Sequence, residues 1–190
     1  RGNWLTNTAL DDWCRERGHQ NLDAGIKSGL TVPGDDLGLN HHFKPSFLWD
    51  AGPARILPFA IRGVLWYQGE SNSLEPHRVA QHEKLFPLLV RDWRAQWSQP
   101  RLPFLYCQLS SISTNGGYQA SCWPEFRDQQ RRFLDTIPDT AMAVTSDLGH
   151  PTDVHPRNKR DVGHRLALAA LAQVYGRGNE FSGPQIEKAN

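Results

Sequence analysis

The alternation of apolar and polar positions changes character three times along the chain. "AIRGVLWY" (60–67), "PFLYCQLS" (103–110) and "AMAVTS" (141–146) are short and rich in β-branched, aromatic or small apolar residues, and each predicts a buried strand. Each gives way to a polar loop and then to apolar residues three and four apart. In "PHRVAQHEKLFPLLVRDWRAQW" (76–97) Val79, Leu85, Leu88, Leu89 and Trp93 fall near one helical stripe, with Pro87 expected to kink or break it. "PEFRDQQRRFLDTI" (124–137) opens on a proline suited to a first helical turn. "KRDVGHRLALAALAQVYG" (159–176) gathers Val162, Leu166, Ala169, Ala170 and Val174 on one face and ends at Gly176, a fit C-cap.

Three strand, loop and helix units in succession predict an α/β fold: a parallel sheet, right-handed crossovers and covering helices. Ligands of such open sheets sit beyond the carboxyl ends of the strands. "QGESN", "SSISTNGG" and "DLGHPTDVHP" all fall there. Residues 1–59 read as irregular, apart from a helix expected over Thr8–Gly18.

With 190 residues, 38% of them hydrophobic, the chain has material for one core, so a single domain is the default. A net charge of +1 with no sustained basic stripe argues against nucleic acid. No apolar run approaches bilayer length, and "RGNWLTNTAL" lacks the features of a signal peptide. Cys14, Cys107 and Cys122 are too few for a disulfide framework and lack zinc spacing. The adjacent His41 and His42 diverge and have no companion ligands, so no metal is expected. Seven tryptophans are many for this length and hint at stacking on sugar.

Candidate chemistry lies in the three loops. His155 follows Asp153 by two residues, the arrangement of a general base oriented by a carboxylate, although such strings also arise by chance and Asp147 is a rival partner. Gln68, Glu70 and Asn72 alternate just past the first strand, where amides can donate to an oxyanion. The plainer reading is a polar loop with Ser71 or Ser73 capping the next helix. Arg127 and Gln130 lie near a helix start, facing either a cleft or, more simply, solvent. Ser46, Ser71, Ser110, Ser111 and Ser121 are conceivable nucleophiles, but none stands in a recognised nucleophile turn.

In order, "FAIRGVLWYQGESN", "LVRDWRAQW", "LPFLYCQLS", "WPEFRDQQ", "AMAVTSDLG" and "DVHPRNKRDVGHRLALAAL" resemble the sialate O-acetylesterases and related carbohydrate acetylesterases of the SGNH-hydrolase superfamily, over about residues 44–184. The resemblance implies a flavodoxin-like α/β/α domain that removes acetyl groups from sugar hydroxyls with no cofactor. It implies His155 as base, Asp153 as its orienting partner and Gln68 as an oxyanion donor. One residue separates Asp153 from His155 where the superfamily usually has two, which gives Glu70 of "QGE" a share in holding the ring. The expected site is His155, Asp153 and Glu70 for catalysis, with Gln68, Gly69, Asn72 and Arg127 for oxyanion or substrate.

The family's serine turn is not found. Residues 1–176 therefore read as the C-terminal part of a catalytic domain (1–59 irregular, 60–176 the three units) and 177–190 as a tail. The serine is expected on a preceding part of the same protein, which could be a separate chain, and the isolated 190 residues are expected to be inactive. The expected partner is an acetylated carbohydrate, sialic acid or xylan, with a periplasmic or secreted setting suggested by relatives. A binding module that has lost its serine, and a glycosidase using Glu70 with Asp147 or Asp153, are the competing readings.

Overall fold

The computed structural model describes residues 47–113 and 121–184, in two compact units: 47–60 with 84–99, and 61–83 with 100–184. The helix expected over Thr8–Gly18, the pair His41 and His42, and Ser46 lie outside the described residues. The elements are α1 (Phe47–Ala51), α2 (Pro53–Ile56), β1 (Val64–Trp66), α3 (Pro76–Gln96), β2 (Phe104–Cys107), α4 (Trp123–Thr136), β3 (Thr140–Ala143) and α5 (Lys159–Gln173).

In the first unit the indole rings of Trp49, Trp93 and Trp97 pack against one another with centroids 5.5–6.2 Å apart. Trp97 also donates its Nε1–H to the Phe59 carbonyl at 3.2 Å. In the second unit Trp123 is buried and donates to the Ser110 carbonyl at 2.8 Å. These tryptophans serve packing, where a large ring gains most by leaving water and its N–H needs a partner. They therefore give no support to the sugar-stacking hint.

The second unit is built on the sheet β1-β2-β3, parallel throughout, with Val64 opposite Phe104 and Phe104 opposite Thr140. β2 is buried along its whole length because both of its faces are covered. Leu105 and Cys107 join Ala141, Ala143 and the α5 residues Val162, Leu166 and Ala169 in one cluster. Phe104 and Tyr106 point the other way, and the Tyr106 hydroxyl donates to the Gln130 carbonyl of α4 at 2.8 Å. The result is three layers, α4, sheet and α5. Burial of such side chains contributes roughly 1.5–3 kcal/mol each.

The strands are shorter than the sequence pattern suggests, because the polar residues at their carboxyl ends turn to other partners. Gln130, expected at the surface or in a cleft, is instead 4% exposed. Its Nε2 donates to the Cys107 carbonyl and its Oε1 accepts from the Leu109 N–H, which holds β2 at the point where pairing ends. α3 runs unbroken through Pro87. α5 stops as expected: Gly176 has φ +64, and the Arg177 N–H returns to the Leu171 carbonyl at 2.8 Å.

Candidate active site

Parallel pairing sends the carboxyl ends of all three strands to one edge of the sheet. A chain of hydroxyls binds those ends together. The Tyr67 hydroxyl lies 2.7 Å from Ser110 Oγ, Ser110 donates to Thr145 Oγ1 at 3.1 Å, and Thr145 donates to the Gln108 carbonyl. Each hydroxyl has one proton, so the chain runs one way and Tyr67 is the donor at its head. Partial burial raises the Tyr67 pKa against the opposing pull of its bond to Ser110. The Lys159 ammonium lies 4.6 Å over the Tyr67 ring, bringing the start of α5 to the tip of β1.

From Tyr67 the chain enters the first polar segment. Gln68 is exposed, and its Nε2 donates to Asn72 Oδ1 at 2.7 Å. Gly69 has φ +146, and a Cβ there would stand 2.6 Å from the Phe126 ring, so the turn requires glycine on two counts. Glu70 Oε2 accepts from the Gly69 N–H at 3.1 Å. Neither Ser71 nor Ser73 acts as the cap the plainer reading expected. The short turn Ser71–Ser73 has no side-chain cap, and the buried Ser73 donates back to the Glu70 carbonyl at 2.8 Å.

Arg127 is the fifth residue of α4 and is half-buried. Its carbonyl accepts from Gln108 Nε2 at 3.1 Å, while its guanidinium has no hydrogen bond or ion pair among the described residues. Desolvation pulls its pKa down.

The third segment sorts the carboxylates. Asp147 is held by Arg165, Oδ1 to Nη1 and Oδ2 to Nη2, both at 2.6 Å, which lowers its pKa to about 2. Asp153 faces His155 instead. Its Oδ1 accepts the His155 backbone N–H at 2.8 Å and stands 3.4 Å from the ring's Nδ1. These contacts, the backbone bond first, hold the Asp153 pKa down. The His155 side chain is 85% exposed.

The structure thus brings together Asp153 with His155, Gln68 with Asn72, and Glu70 with Gly69. Among the described residues no hydrogen bond joins His155 to Gln68, Glu70 or a serine. Ser110 is spent on Thr145, and Ser111 donates to the Ser146 carbonyl. Thr145 and Lys159 were missed by sequence reasoning, and Tyr67 was noted only as one of the polar groups crowded at the end of the first strand. Their partners lie at separations such as 43 residues that no local pattern reports.

Polar loops gathered at the carboxyl edge of a parallel sheet, with an acid-paired imidazole in one of them, are the arrangement of an α/β domain that binds its ligand beyond the strand ends. The family model for carbohydrate esterase, sialic acid-specific acetylesterase, matches residues 51–172. The chain belongs to that family. It is 32% identical over 198 aligned residues to the sialate O-acetylesterase of Pongo abelii, covering 95% of this chain and 36% of that protein. The sialate O-acetylesterase of Mus musculus is 35% identical over 159 residues, covering 75% and 29%. A crystal structure of a carbohydrate acetylesterase from Xanthomonas citri superposes with TM-score 0.62 at 42% identity, covering 68% of this chain and 30% of that one. The chain spans about a third of the length of the curated relatives it matches.

Proposed function

We propose that this chain forms part of a carbohydrate O-acetylesterase that hydrolyses acetyl esters on sugars by serine-type acyl transfer. The observation that supports the reading most is the pairing of His155 with Asp153 at 3.4 Å, in the loop that leads to Lys159 and so to the tip of β1. A carboxylate on Nδ1 keeps the proton there and leaves Nε2 as the base. His155 would take the proton of a serine hydroxyl as the oxygen attacks the acetyl carbonyl. It would then return that proton to the departing sugar oxygen, and a water activated in the same way would release acetate. Gln68 Nε2, with backbone N–H groups of its turn, would donate to the tetrahedral oxyanion. Asn72 would hold the Gln68 amide in place, and Glu70 would brace the turn through Gly69. The serine would come from polypeptide outside residues 1–190.

Arg127 supports the sialate branch of the substrate class. A half-buried cation without a protein partner among the described residues suits the carboxylate of a sialic acid, which neutral xylan lacks. The test is acetate release by the full-length polypeptide from O-acetylated sialic acid and from acetylated xylan. Gln68→Ala should lower kcat about 10²-fold or more. Arg127→Met should raise KM for the sialate ester alone. Free sugar released from an unacetylated glycoside, with no acetate from either ester, would contradict the reading.

A further inference from the structure

The loops after β2 and β3 are fastened to each other. The Ser113 N–H donates to the Pro151 carbonyl at 3.0 Å, and Ser111 Oγ donates to the Ser146 carbonyl. Gly149 lies so close to the backbone of Ser111 that any Cβ there would collide with it. Between the two loops is a pocket of about 330 Å³, lined among others by Ser111, Ile112, Ser113, Asp147, His150 and Pro151. Its size falls at the lower end of the roughly 300–1,000 Å³ typical of small-molecule sites.

The polar groups of this pocket have fixed characters. His150 Nδ1 accepts two backbone N–H groups, from Thr152 at 3.2 Å and Asp153 at 3.1 Å. The proton of the neutral ring is therefore on Nε2, which is a donor. Asp147 is kept ionised by Arg165, and a carboxylate has acceptor capacity beyond a bidentate pair. The Ser111 hydroxyl donates its one hydrogen bond to the Ser146 carbonyl, so toward the pocket it is an acceptor. Ile112 and Pro151 supply apolar surface. One fixed donor and several acceptors around an apolar wall match a ring that carries hydroxyls on its edge and C–H groups on its face.

We propose that this pocket is a carbohydrate subsite, holding the pyranose ring of the O-acetylated substrate. The inference rests on the esterase reading and adds the residues that would recognise the sugar. Asp153 connects the two: its N–H is bound by His150, and its carboxylate faces His155. A sugar seated against His150 therefore lies beside the loop that carries the base.

The test is His150→Asn in the full-length polypeptide. Asparagine retains a side-chain oxygen to accept the N–H groups of Thr152 and Asp153, but lacks the Nε2 donor. Acetate release is measured from an O-acetylated sialic acid, an O-acetylated methyl xyloside and 4-nitrophenyl acetate, which carries no sugar. The proposal expects KM for at least one sugar ester to rise about fivefold relative to that for the aryl ester, the effect of one hydrogen bond. An unchanged ratio, whether all three esters suffer equally or none does, overturns it. If the wild-type protein releases acetate from none of them, the esterase reading fails and the subsite is judged by calorimetry with the deacetylated sugars. Binding that weakens about fivefold in the variant then supports the subsite, and no binding to the wild-type protein overturns it.

Discussion

At position 69 the backbone angle and the neighbouring ring make the same demand. With φ at +146 and Phe126 Cε1 2.6 Å from the site of a Cβ, Gly69→Ala must shift either the turn or the ring. It should lose about 1–3 kcal/mol of stability, seen as a lower melting temperature. Acetate release should fall at least tenfold, because Gln68 moves with the turn. His82 makes a different prediction. Buried against the rings of Phe126 and Phe133, with Nδ1 2.8 Å from Gln129 Oε1, its pKa is pushed down to about 4 by loss of solvent. Between the ordinary value near 6.5 and about 4 the unfolded chain binds a proton that the folded chain refuses. Stability should therefore fall as pH drops through that window, by about 3 kcal/mol in all, and level off below it. Denaturant titrations at several pH values check this, and His82→Leu should flatten the profile. Nothing in "HRVAQHEKL" announces that burial, since the groups that enclose His82 come from a helix some 47 residues away.

Among the elements, α4 carries a clamp that the sequence pattern disguised. Gln130 reads as a surface or cleft residue in "FRDQQRR", yet one end of its amide is bound to the last residue of β2 and the other to the backbone two residues past it. Gln130→Leu leaves the Cys107 carbonyl and the Leu109 N–H without that partner and should cost about 2–4 kcal/mol. Arg165→Met breaks the pair with Asp147, but that carboxylate is 59% exposed, so its loss should cost less than about 1 kcal/mol. Denaturation of both variants tests the contrast. The existence and order of the three strands and of α3, α4 and α5 were legible because each apolar run has a clear period, whereas the short helices α1 and α2 fall in a stretch whose Gly, Pro and Asp content read as irregular. The Gly176 stop was legible because its turn chemistry is local. Strand length was not, since it is set by side chains such as Gln130 that arrive from elsewhere. Pro87, expected to kink or break the helix, lies inside α3, which continues past it.

At the scale of the whole molecule, the parallel sheet accounts for why polar segments far apart in sequence reach one edge. That much followed from the three repeated units. The pairing of Asp153 with His155, and of Asp147 with Arg165, needed coordinates, because both aspartates stand near the histidine in sequence and only geometry separates them. Family membership rests on the match across residues 51–172, while the activity proposed for the full protein depends on one imidazole. The most direct measurement is therefore kcat for acetate release from an O-acetylated sugar by the full-length polypeptide and its His155→Ala variant. The account predicts a loss of at least about 10³-fold with an unchanged melting temperature. Turnover in the variant equal to that of the wild type would contradict it.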